Sequence, residues 1–443
     1  MSTRVATVVI IGNVLSLTVV GHAQTQQAVA PPSAASYVDP VGGLTLNDAI
    51  GRALVREPGL RASRSQIDMT RGLREQAALR PNPSLSFFQQ QEPGGADNQT
   101  RVELQWPLDL FRKTGRVEVA DRDVELARYA TADRERTLAA GVRLAYGQVA
   151  AAVRTLTVTE QLLAATSRQL MLISSRVEQG ATPPLDRDLV RVEVHRLEAE
   201  RSLEVGAVER RLVELKRLLG MPAGASLTLR TALEELVRQA VMLAASPTQS
   251  VALTVRPDVL EAEARVRMTD AQIDRAKREG RADISLFGMY MRMNAGFPQQ
   301  GFSPTGVLEP IRNVFQYVSV GATVTLPVLS RNQGAVAAAE AERTGATAQA
   351  EAARLSAQSE VVAAQSRDEQ ALRALDAYTT DGMALARHNL DVVRQTYELG
   401  RGTLLDVLNE QRRYLDVERA YTDVLREVYE ARQTLKSSLG EVQ

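Results

Sequence analysis

The sequence predicts a mainly α-helical fold with a smaller β-stranded membrane portion, built from two internal repeats. Matching residues recur at a separation of 220 positions, and an internal repeat of that size fixes the architecture. Each half contains a proline-free stretch of about 65 residues, enough for a helix of ~98 Å. All the Phe residues and the only Trp lie between positions 84 and 327, outside these stretches. The matching pairs include Pro107 and Pro327, Gly180 and Gly400, Leu185 and Leu405, and Leu219 and Leu439.

Composition narrows the classes of function. Aromatic residues make up 4% of the chain, and Ala, Leu, Val, Arg, Glu and Gln dominate, which is typical of long helices. The formal net charge is zero, so no overall positive field is available to attract nucleic acid. The chain has no Cys, which excludes disulfides, thiolate metal sites, cysteine nucleophiles and a lipoprotein anchor.

The N-terminus, residues 1–23, is interpreted as a signal peptide. Arg4 supplies a positive start, residues 5–20 are mostly apolar, and Gly21-His22-Ala23 offers a small-residue cleavage site. A transmembrane anchor is the alternative, although the run is shorter than the ~20 residues of a spanning helix. Residues 24–43 are rich in Gln, Ala, Pro and Ser, and they predict a flexible N-terminal arm.

Each half is predicted to follow one order: helix, strand, strand, long helix, tight turn and return helix. The first repeat covers residues 44–220, the second covers 253–443, and a linker or equatorial segment at 221–252 joins them. The opening and return helices of a half are each about 35 residues, so end to end they match one long helix. The predicted helices of the first half are 46–79, 115–180 and 185–219, and the later ones are 334–400 and 404–439.

A coiled-coil seam follows the first long helix. Its residues alternate spacings of four and three, a 3.5-residue repeat that predicts a long α-helical barrel. A single amphipathic helix in a soluble bundle is the alternative. The seam consists of Leu138, Val142, Ala145, Val149, Ala152, Leu156, Thr159, Leu163, Thr166, Leu170, Ile173 and Val177.

The aromatic-rich segments predict strands of a membrane barrel. Val102, Leu104 and Trp106 share one face of a strand whose other face is polar, and residues 317–326 alternate in the same way. Four strands per chain cannot close a barrel, and open edges are not tolerated in lipid. A shared 12-stranded β-barrel therefore predicts a homotrimer in contact with outer-membrane lipid. Two soluble β-hairpins in a periplasmic protein are the alternative.

Two strand-to-helix corners carry a family resemblance. Proline ends a strand because it removes a ladder donor, and we expect the glycine of each corner to let the backbone turn into the helix. The first corner runs from Pro107 to Gly115 and contains the motifs Gln105-Trp106-Pro107-Leu108 and Arg112-Lys113-Thr114-Gly115-Arg116. The second corner runs from Pro327 to Gly334 and contains the motif Ser330-Arg331-Asn332-Gln333-Gly334. With Leu79-Arg80-Pro81-Asn82-Pro83, these motifs resemble the TolC-like outer-membrane efflux proteins, closest to their heavy-metal-efflux branch.

The resemblance covers the whole mature chain and implies a function. It implies a trimeric β-barrel on a periplasmic α-helical barrel, located in the cell outer membrane with a large periplasmic extension. It also implies a passive exit duct of a tripartite efflux pump. The implied partners are a periplasmic adaptor (membrane-fusion) protein and an inner-membrane transporter of the proton-driven RND type. Heavy-metal cations are the expected cargo, with drugs as a second class.

The two turns that join long helices to return helices are the candidate functional site. Gly180 and Gly400 each stand where a helix can close in the left-handed conformation. The segments Tyr397-Glu398-Leu399-Gly400 and Thr403-Leu404-Leu405-Asp406-Val407-Leu408 resemble the family's adaptor-contacting tip. The candidate adaptor-docking residues are therefore Gly180, Leu185, Gly400 and Leu405.

The same resemblance implies a periplasmic gate made of carboxylate rings. Asp406 matches the first of two gating aspartates, and Asn409 stands where the second would be. Asp186 is the equivalent residue of the first half, with Asp188 nearby. In a trimer each acid becomes a ring of three, which favours cations. Helix capping is the alternative role for Asp186 and Asp406.

No motif for catalysis was found. The sequence lacks a phosphate loop, a nucleophile elbow and a zinc motif, so it predicts no enzyme activity, cofactor or metal site. His195 and His388 stand alone on predicted helices. Met289, Met291 and Met293 alternate along one strand and could bind Cu(I), but an apolar face towards lipid is the favoured interpretation.

Two further functions stay open from the sequence. One is an outer-membrane duct of the same fold that serves type I protein secretion. The other is a soluble periplasmic coiled-coil scaffold. Cell fractionation distinguishes the scaffold from both ducts, and the sensitivity of a deletion strain distinguishes efflux from secretion.

Overall fold

The computed structural model describes residues 32–93, 97–242 and 256–440. The predicted signal peptide lies outside the described residues, and the elements below belong to one structural unit that begins at Ser33. The helices are α1 (Leu46–Arg56), α2 (Pro58–Ala78), α3 (Lys113–Glu178), α4 (Pro184–Leu218), α5 (Leu233–Met242), α6 (Pro257–Glu279), α7 (Gln333–Ala377), α8 (Met383–Glu398) and α9 (Leu404–Ser438). The strands are β1 (Ser84–Gln91), β2 (Asn98–Pro107), β3 (Asp283–Phe302) and β4 (Leu308–Thr325). The predicted mainly helical fold with a smaller β portion is confirmed.

Helix α3, 66 residues long, is the centre of the helical region. Most of its predicted seam is buried: Val142, Val149 and Leu156 are each fully inaccessible to solvent. Helices α2 and α6 pack on the first half of α3, where Arg267 of α6 pairs with Glu125. Helices α4 and α9 pack on its second half. One long helix is thus paired along its length with the shorter opening and return helices, as predicted.

Two of the predicted helices are interrupted. The opening helix breaks at Glu57, whose extended backbone (ψ 124°) caps α2 through a hydrogen bond from the Leu60 amide. Pro58 is the cause, because a residue before proline is driven out of the helical region. The second long helix is divided by a π-helical turn at Tyr378–Gly382. There the ring of Tyr378 lies 6.0 Å from that of Tyr421 on α9.

The described part of the predicted N-terminal arm is packed on the helices. Residues Ala34–Tyr37 form a turn of 3-10 helix, and Ala34 and Tyr37 are both buried. The Asp39 amide donates to Leu229 O at 2.8 Å. This part of the arm therefore packs its apolar side chains and pairs its backbone, while the flexibility of the arm stays a prediction.

The sheet has the order β1-β2-β3-β4 and is antiparallel throughout. Its register aligns apolar residues of all four strands: Leu85 faces Leu104, Trp106 faces Leu286, and Tyr290 faces Val318. These residues form one apolar sheet face that is open to solvent in the single chain. Its members, all at least 40% exposed, are Leu85, Phe87, Leu104, Trp106, Leu286, Tyr290, Val318, Val320 and Val324. The predicted alternation of strand residues is confirmed.

The methionine row lies on the opposite face of the sheet. Met289 pairs with Glu103 and Ser319, whereas its neighbour Tyr290 belongs to the apolar sheet face. The three Met residues therefore do not share a face with Leu104, Trp106 and Tyr290, and which of the two faces meets lipid stays a prediction. Alternation along one strand groups side chains together, but only the cross-strand register shows which neighbours they have.

Within the described residues, none of the helices combines the length and the apolarity needed to cross a membrane.

Candidate functional site

The first of the two predicted turns joins α3 to α4. Gly180 adopts φ +70°, and the Ala181 amide donates to Arg176 O at 2.8 Å, which closes the last turn of α3. This is the hydrogen bond of a Schellman motif, in which a left-handed residue lets the chain leave the helix. Pro184 then begins α4, where proline at the first position loses no helical hydrogen bond. Leu185 follows and is 66% exposed.

The second turn, from α8 to α9, has the same geometry. Gly400 adopts φ +70°, and the Arg401 amide donates to Thr396 O at 3.0 Å. Helix α9 begins at Leu404, which is buried, and the next residue, Leu405, is 55% exposed. In each turn, the leucine at the second position of the following helix is exposed.

The fold brings the two turns together at one end of the helices. Ile173 of α3, Val190 of α4 and Leu404 and Leu408 of α9 form a small buried cluster. Tyr397 packs against it. Burial, with the negative charge of Asp186 as the next cause, raises the pKa of the Tyr397 hydroxyl. The turns at Gly180 and Gly400, which are 220 positions apart in the sequence, thus lie together at one end of the helices, which we call the tip.

The carboxylate of Asp406 is engaged in helix capping. Its Oδ2 accepts hydrogen bonds from the Thr403 hydroxyl at 2.6 Å and the Thr403 amide at 3.0 Å, and the Thr403 hydroxyl accepts from the Asp406 amide. This is a reciprocal capping box. The hydrogen bonds from Thr403 lower the pKa of Asp406. The exposed carboxylate therefore stays ionised to a lower pH than an ordinary aspartate does. Capping and a cation-attracting role are compatible.

The other predicted gate residues differ in their surroundings. Asp186 is half-buried in the first turn of α4. Asp188 pairs with Arg187 at 3.1 Å and lies 3.8 Å from Arg191, so cations of its own helix offset its charge. Asn409 is exposed one turn beyond Asp406 on α9. Asp188 is thus paired with cations of its own helix, whereas the carboxylate of Asp406 is held by the neutral Thr403.

The strand-to-helix corners turn at residues other than the glycines. Asp109 (φ 52°) and Asn332 (φ 62°) adopt the left-handed conformation, which Asp and Asn tolerate better than most residues. Gly115 and Gly334 lie inside the first turns of α3 and α7. The expectation that these glycines let the chain turn is therefore wrong. Pro107 is the last residue of β2, and Pro327 follows β4, where the Val328 amide donates to Leu326 O.

Gly115 serves a different purpose at its corner. A Cβ atom there would lie 3.0 Å from Arg275 Cα, so the missing side chain lets α3 and α6 approach closely. Asp109, which sequence reasoning missed, is buried and pairs with Arg116 at 2.5 Å. Its position between a strand-ending proline and a helix was the available signal.

A metal centre is not apparent in the described ranges. No group of three or more His, Asp or Glu side chains there is arranged to hold a metal ion. The Nδ1 atom of His195 lies 3.0 Å from Glu198 Oε2 on the same exposed helix face.

Comparison with known proteins identifies relatives along nearly the whole chain. A family model described as "Outer membrane efflux protein" matches residues 49–221 and 249–441. The cobalt-zinc-cadmium resistance protein CzcC of Cupriavidus metallidurans is 23% identical over 400 residues, 90% of each chain.

Solved structures share the fold. The chain superposes on CusC with a TM-score of 0.73 at 18% identity, covering 94% of this chain and 95% of that one. It superposes on the open state of the MtrE outer membrane channel of Neisseria gonorrhoeae with a TM-score of 0.71 at 19% identity, covering 94% of both chains. At this identity the likeness concerns the fold.

Proposed function

Because the chain belongs to the outer membrane efflux protein family, we propose that it is the passive exit duct of a tripartite efflux pump. The protein is located in the outer membrane and has a large periplasmic portion, as its family has. The proposed pump also contains a periplasmic adaptor and an inner-membrane transporter of the RND type. In this function the duct needs no cofactor and catalyses no reaction, since it only provides a path.

The observation that carries the proposal is the apolar sheet face. It exposes Trp106, Val318 and Val320 to solvent in the single chain, and the sheet ends in two edge strands, β1 and β4. Apolar area of this kind is stable against lipid, but unpaired strand edges are costly there. Joining β4 of one copy to β1 of the next removes every edge. Three copies give a 12-stranded barrel and therefore a homotrimer.

The helical region supports an extended periplasmic duct. Helix α3 alone has 66 residues, a length of roughly 100 Å. The equal geometry of the turns at Gly180 and Gly400 supports the proposal that the chain consists of two structural repeats, at 44–220 and 253–443. We place the tip at the periplasmic end, because the sheet lies at the opposite end of α3.

At the tip we propose two roles. The outward leucines, Leu185 and Leu405, contact the adaptor, and the glycines of their turns hold them in place. Asp406, with contributions from Asp186 and Asp188, forms the cation-attracting constriction, while Asn409 makes the gate less acidic than two aspartate rings would be.

Heavy-metal cations are the proposed cargo, with drugs as the second class. The relative CzcC is named for resistance to cobalt, zinc and cadmium, which supports the first class. Secretion of a protein remains the alternative for a duct of this fold. The soluble scaffold alternative disagrees with the outer-membrane location.

The test is growth of a deletion strain on Zn, Co, Cd, Ni, Cu and Ag salts and on common antibiotics, with the full chain restored as the control. We expect sensitivity to one class of metal, reversed by the full chain, and a detergent-resistant trimer in the outer-membrane fraction. Unchanged growth on all compounds together with loss of a secreted protein would support the secretion duct. A monomer in the soluble periplasmic fraction would overturn both.

A further inference from the structure

Three methionines of β3 share one face and a common setting. Met289, Met291 and Met293 are all half-buried. Towards β2 they lie opposite Glu103, Arg101 and Gln99, and towards β4 opposite Ser319, Tyr317 and Phe315. The row therefore lies among polar and aromatic side chains, away from the apolar sheet face.

The position of the row makes it accessible from water in the proposed barrel. If the apolar sheet face contacts lipid, the face that carries Glu103, Arg101 and the methionines lines the interior. Val, Ile or Leu would fill a half-buried strand position with less flexibility, so three thioethers in a row add a chemical property that packing does not require.

Thioether sulfur is a soft ligand, and soft ligands select Cu(I) among the biological metals. Same-face neighbours on a strand are about 6.7 Å apart, and methionine has three rotatable bonds, so two adjacent sulfurs can converge on one ion. The chain has no Cys, so methionine is its only source of soft sulfur. We propose that Met289, Met291 and Met293 bind a soft monovalent cation, Cu(I) or Ag(I). Met291 contributes its sulfur in either case, together with that of Met289 or that of Met293.

The surrounding charges modulate this site. Glu103 lies beside Met289 in the register and favours a cation. Arg101 lies beside Met291, but its guanidinium carbon is 5.9 Å from the centre of the Phe88 ring, on the side of β1. The side-chain amide of Gln99 donates to Met291 Sδ, which occupies one of the two sulfur lone pairs and leaves the other for a metal.

The inference deepens the proposed function by naming a class of cation, and it rests on that function only for the location of the site inside the duct. The test uses the purified full chain in detergent and Ag⁺ in chloride-free buffer, followed by calorimetry. We expect a single Ag⁺ site per chain, and we expect Met291→Leu to weaken it by at least about tenfold, a loss of ~1.4 kcal/mol. Met289→Leu and Met293→Leu should weaken it less, since each leaves one adjacent pair.

Met171→Leu is the matched control, because Met171 is an exposed methionine of α3 far from the sheet, and it should leave Ag⁺ affinity unchanged. Zn²⁺ added as a competitor should not displace Ag⁺, since Zn²⁺ prefers nitrogen, oxygen and thiolate ligands. A second measurement is oxidation by hydrogen peroxide, from which bound Ag⁺ should protect the three methionines of β3 but not Met171.

Equal Ag⁺ affinity of wild type and Met291→Leu, with both proteins trimeric, would overturn the inference, as would uniform protection of all methionines. Because binding is measured without transport, failure of this test leaves the duct proposal standing. Loss of the trimer or of the metal phenotype would instead count against the duct.

Discussion

The ring of Tyr429 lies directly against Gly147, so that a Cβ atom at position 147 would stand 2.3 Å from Tyr429 Cε1. This contact joins the middle of α3, in the first half of the chain, to α9 in the second half. Tyr429 is almost fully buried, and its hydroxyl donates to Arg143 O at 3.1 Å. A large side chain on one helix is thus accommodated by a missing one on the other.

Gly147→Ala should therefore destabilise the helical region. Overpacking a core typically costs about 1–3 kcal/mol, which exceeds the ~1 kcal/mol that Ala gains over Gly in a helix. Gly141→Ala is the control: its Cβ would meet Leu218 at 3.8 Å, an ordinary contact, so a small gain is expected. Thermal unfolding of both purified variants measures the difference. A rise in melting temperature for Gly147→Ala would show that the contact is not tight.

Asp406→Ala should raise single-channel conductance or reduce block by multivalent cations, because it removes the exposed carboxylate of the tip. It also removes the Asp406 half of the capping box. Thr403→Ala separates the two effects, since it loses the cap hydroxyl but keeps the charge. Both variants are measured in planar bilayers. If Thr403→Ala changes the block as much as Asp406→Ala does, capping and not charge controls the tip.

The same pair of residues predicts a pH dependence of cation block. The bonds from Thr403 lower the pKa of Asp406, so its charge is present above the folded pKa and is lost as pH falls through it. Block in wild type should persist to more acidic pH than in Thr403→Ala, where the carboxylate returns towards its ordinary pKa. Coincident pH profiles of the two proteins would contradict a role for the Asp406 charge.

Leu405→Asp should weaken crosslinking to the adaptor. Leu405 is exposed while its neighbour Leu404 is buried, so a charge there changes the surface without entering the core. Leu203→Asp is the control, a leucine about halfway along α4 that is more exposed than Leu405. Site-specific crosslinking in cells, with trimer formation checked for both variants, measures the effect. Undiminished crosslinking and efflux in Leu405→Asp would remove this residue from the docking surface.

Arg256 anchors the end of α9 to α6 and α7. Its guanidinium is 1% exposed, and it donates to Asp258 at 2.6 Å, to Glu360 at 2.7 Å and to Ser438 O at 3.0 Å. Arg256→Met should destabilise the chain by about 1.5–3 kcal/mol, because it removes charge-assisted hydrogen bonds and leaves Asp258 with only Arg136, 3.9 Å away, as a cation neighbour. Arg354→Met, which removes an exposed pair with Glu263, should cost less than about 1 kcal/mol.

This effect should depend on pH. Burial alone would raise the pKa of Asp258, but the hydrogen bonds and charge of Arg256 outweigh burial and hold that pKa below its ordinary value. The stabilisation is therefore present above the unfolded pKa, about 4, and is lost as pH falls through the folded pKa. The gap in unfolding temperature between wild type and Arg256→Met should narrow in acid. A constant gap from neutral pH down to pH about 3 would show that Asp258 contributes little.

Much of the helical fold could be predicted because its signals are local. The 3.5-residue spacing from Leu138 to Val177 predicts a buried seam, and Gly180 and Gly400 predict the helix ends, whatever the rest of the chain does. The capping box of Asp406 is also a local signal, because Thr403 stands three residues before this acidic residue in the sequence. The break at Glu57 follows from Pro58, yet the helical pattern on both sides concealed it.

The sequence by itself determined the order of elements, the two glycine-closed turns and the alternation of each strand, since these depend on residues a few positions apart. Only the tertiary structure decided that Asp109 and Asn332 make the corners, that Arg256 is buried, and that the methionine row lies opposite the apolar sheet face. Asn332 and Arg256 contact residues more than fifty positions away, and the place of the methionine row depends on which strands pair in which register, whereas Asp109 is held by Arg116 across a corner whose shape the strand and helix set together. No periodicity along a single segment carries that information.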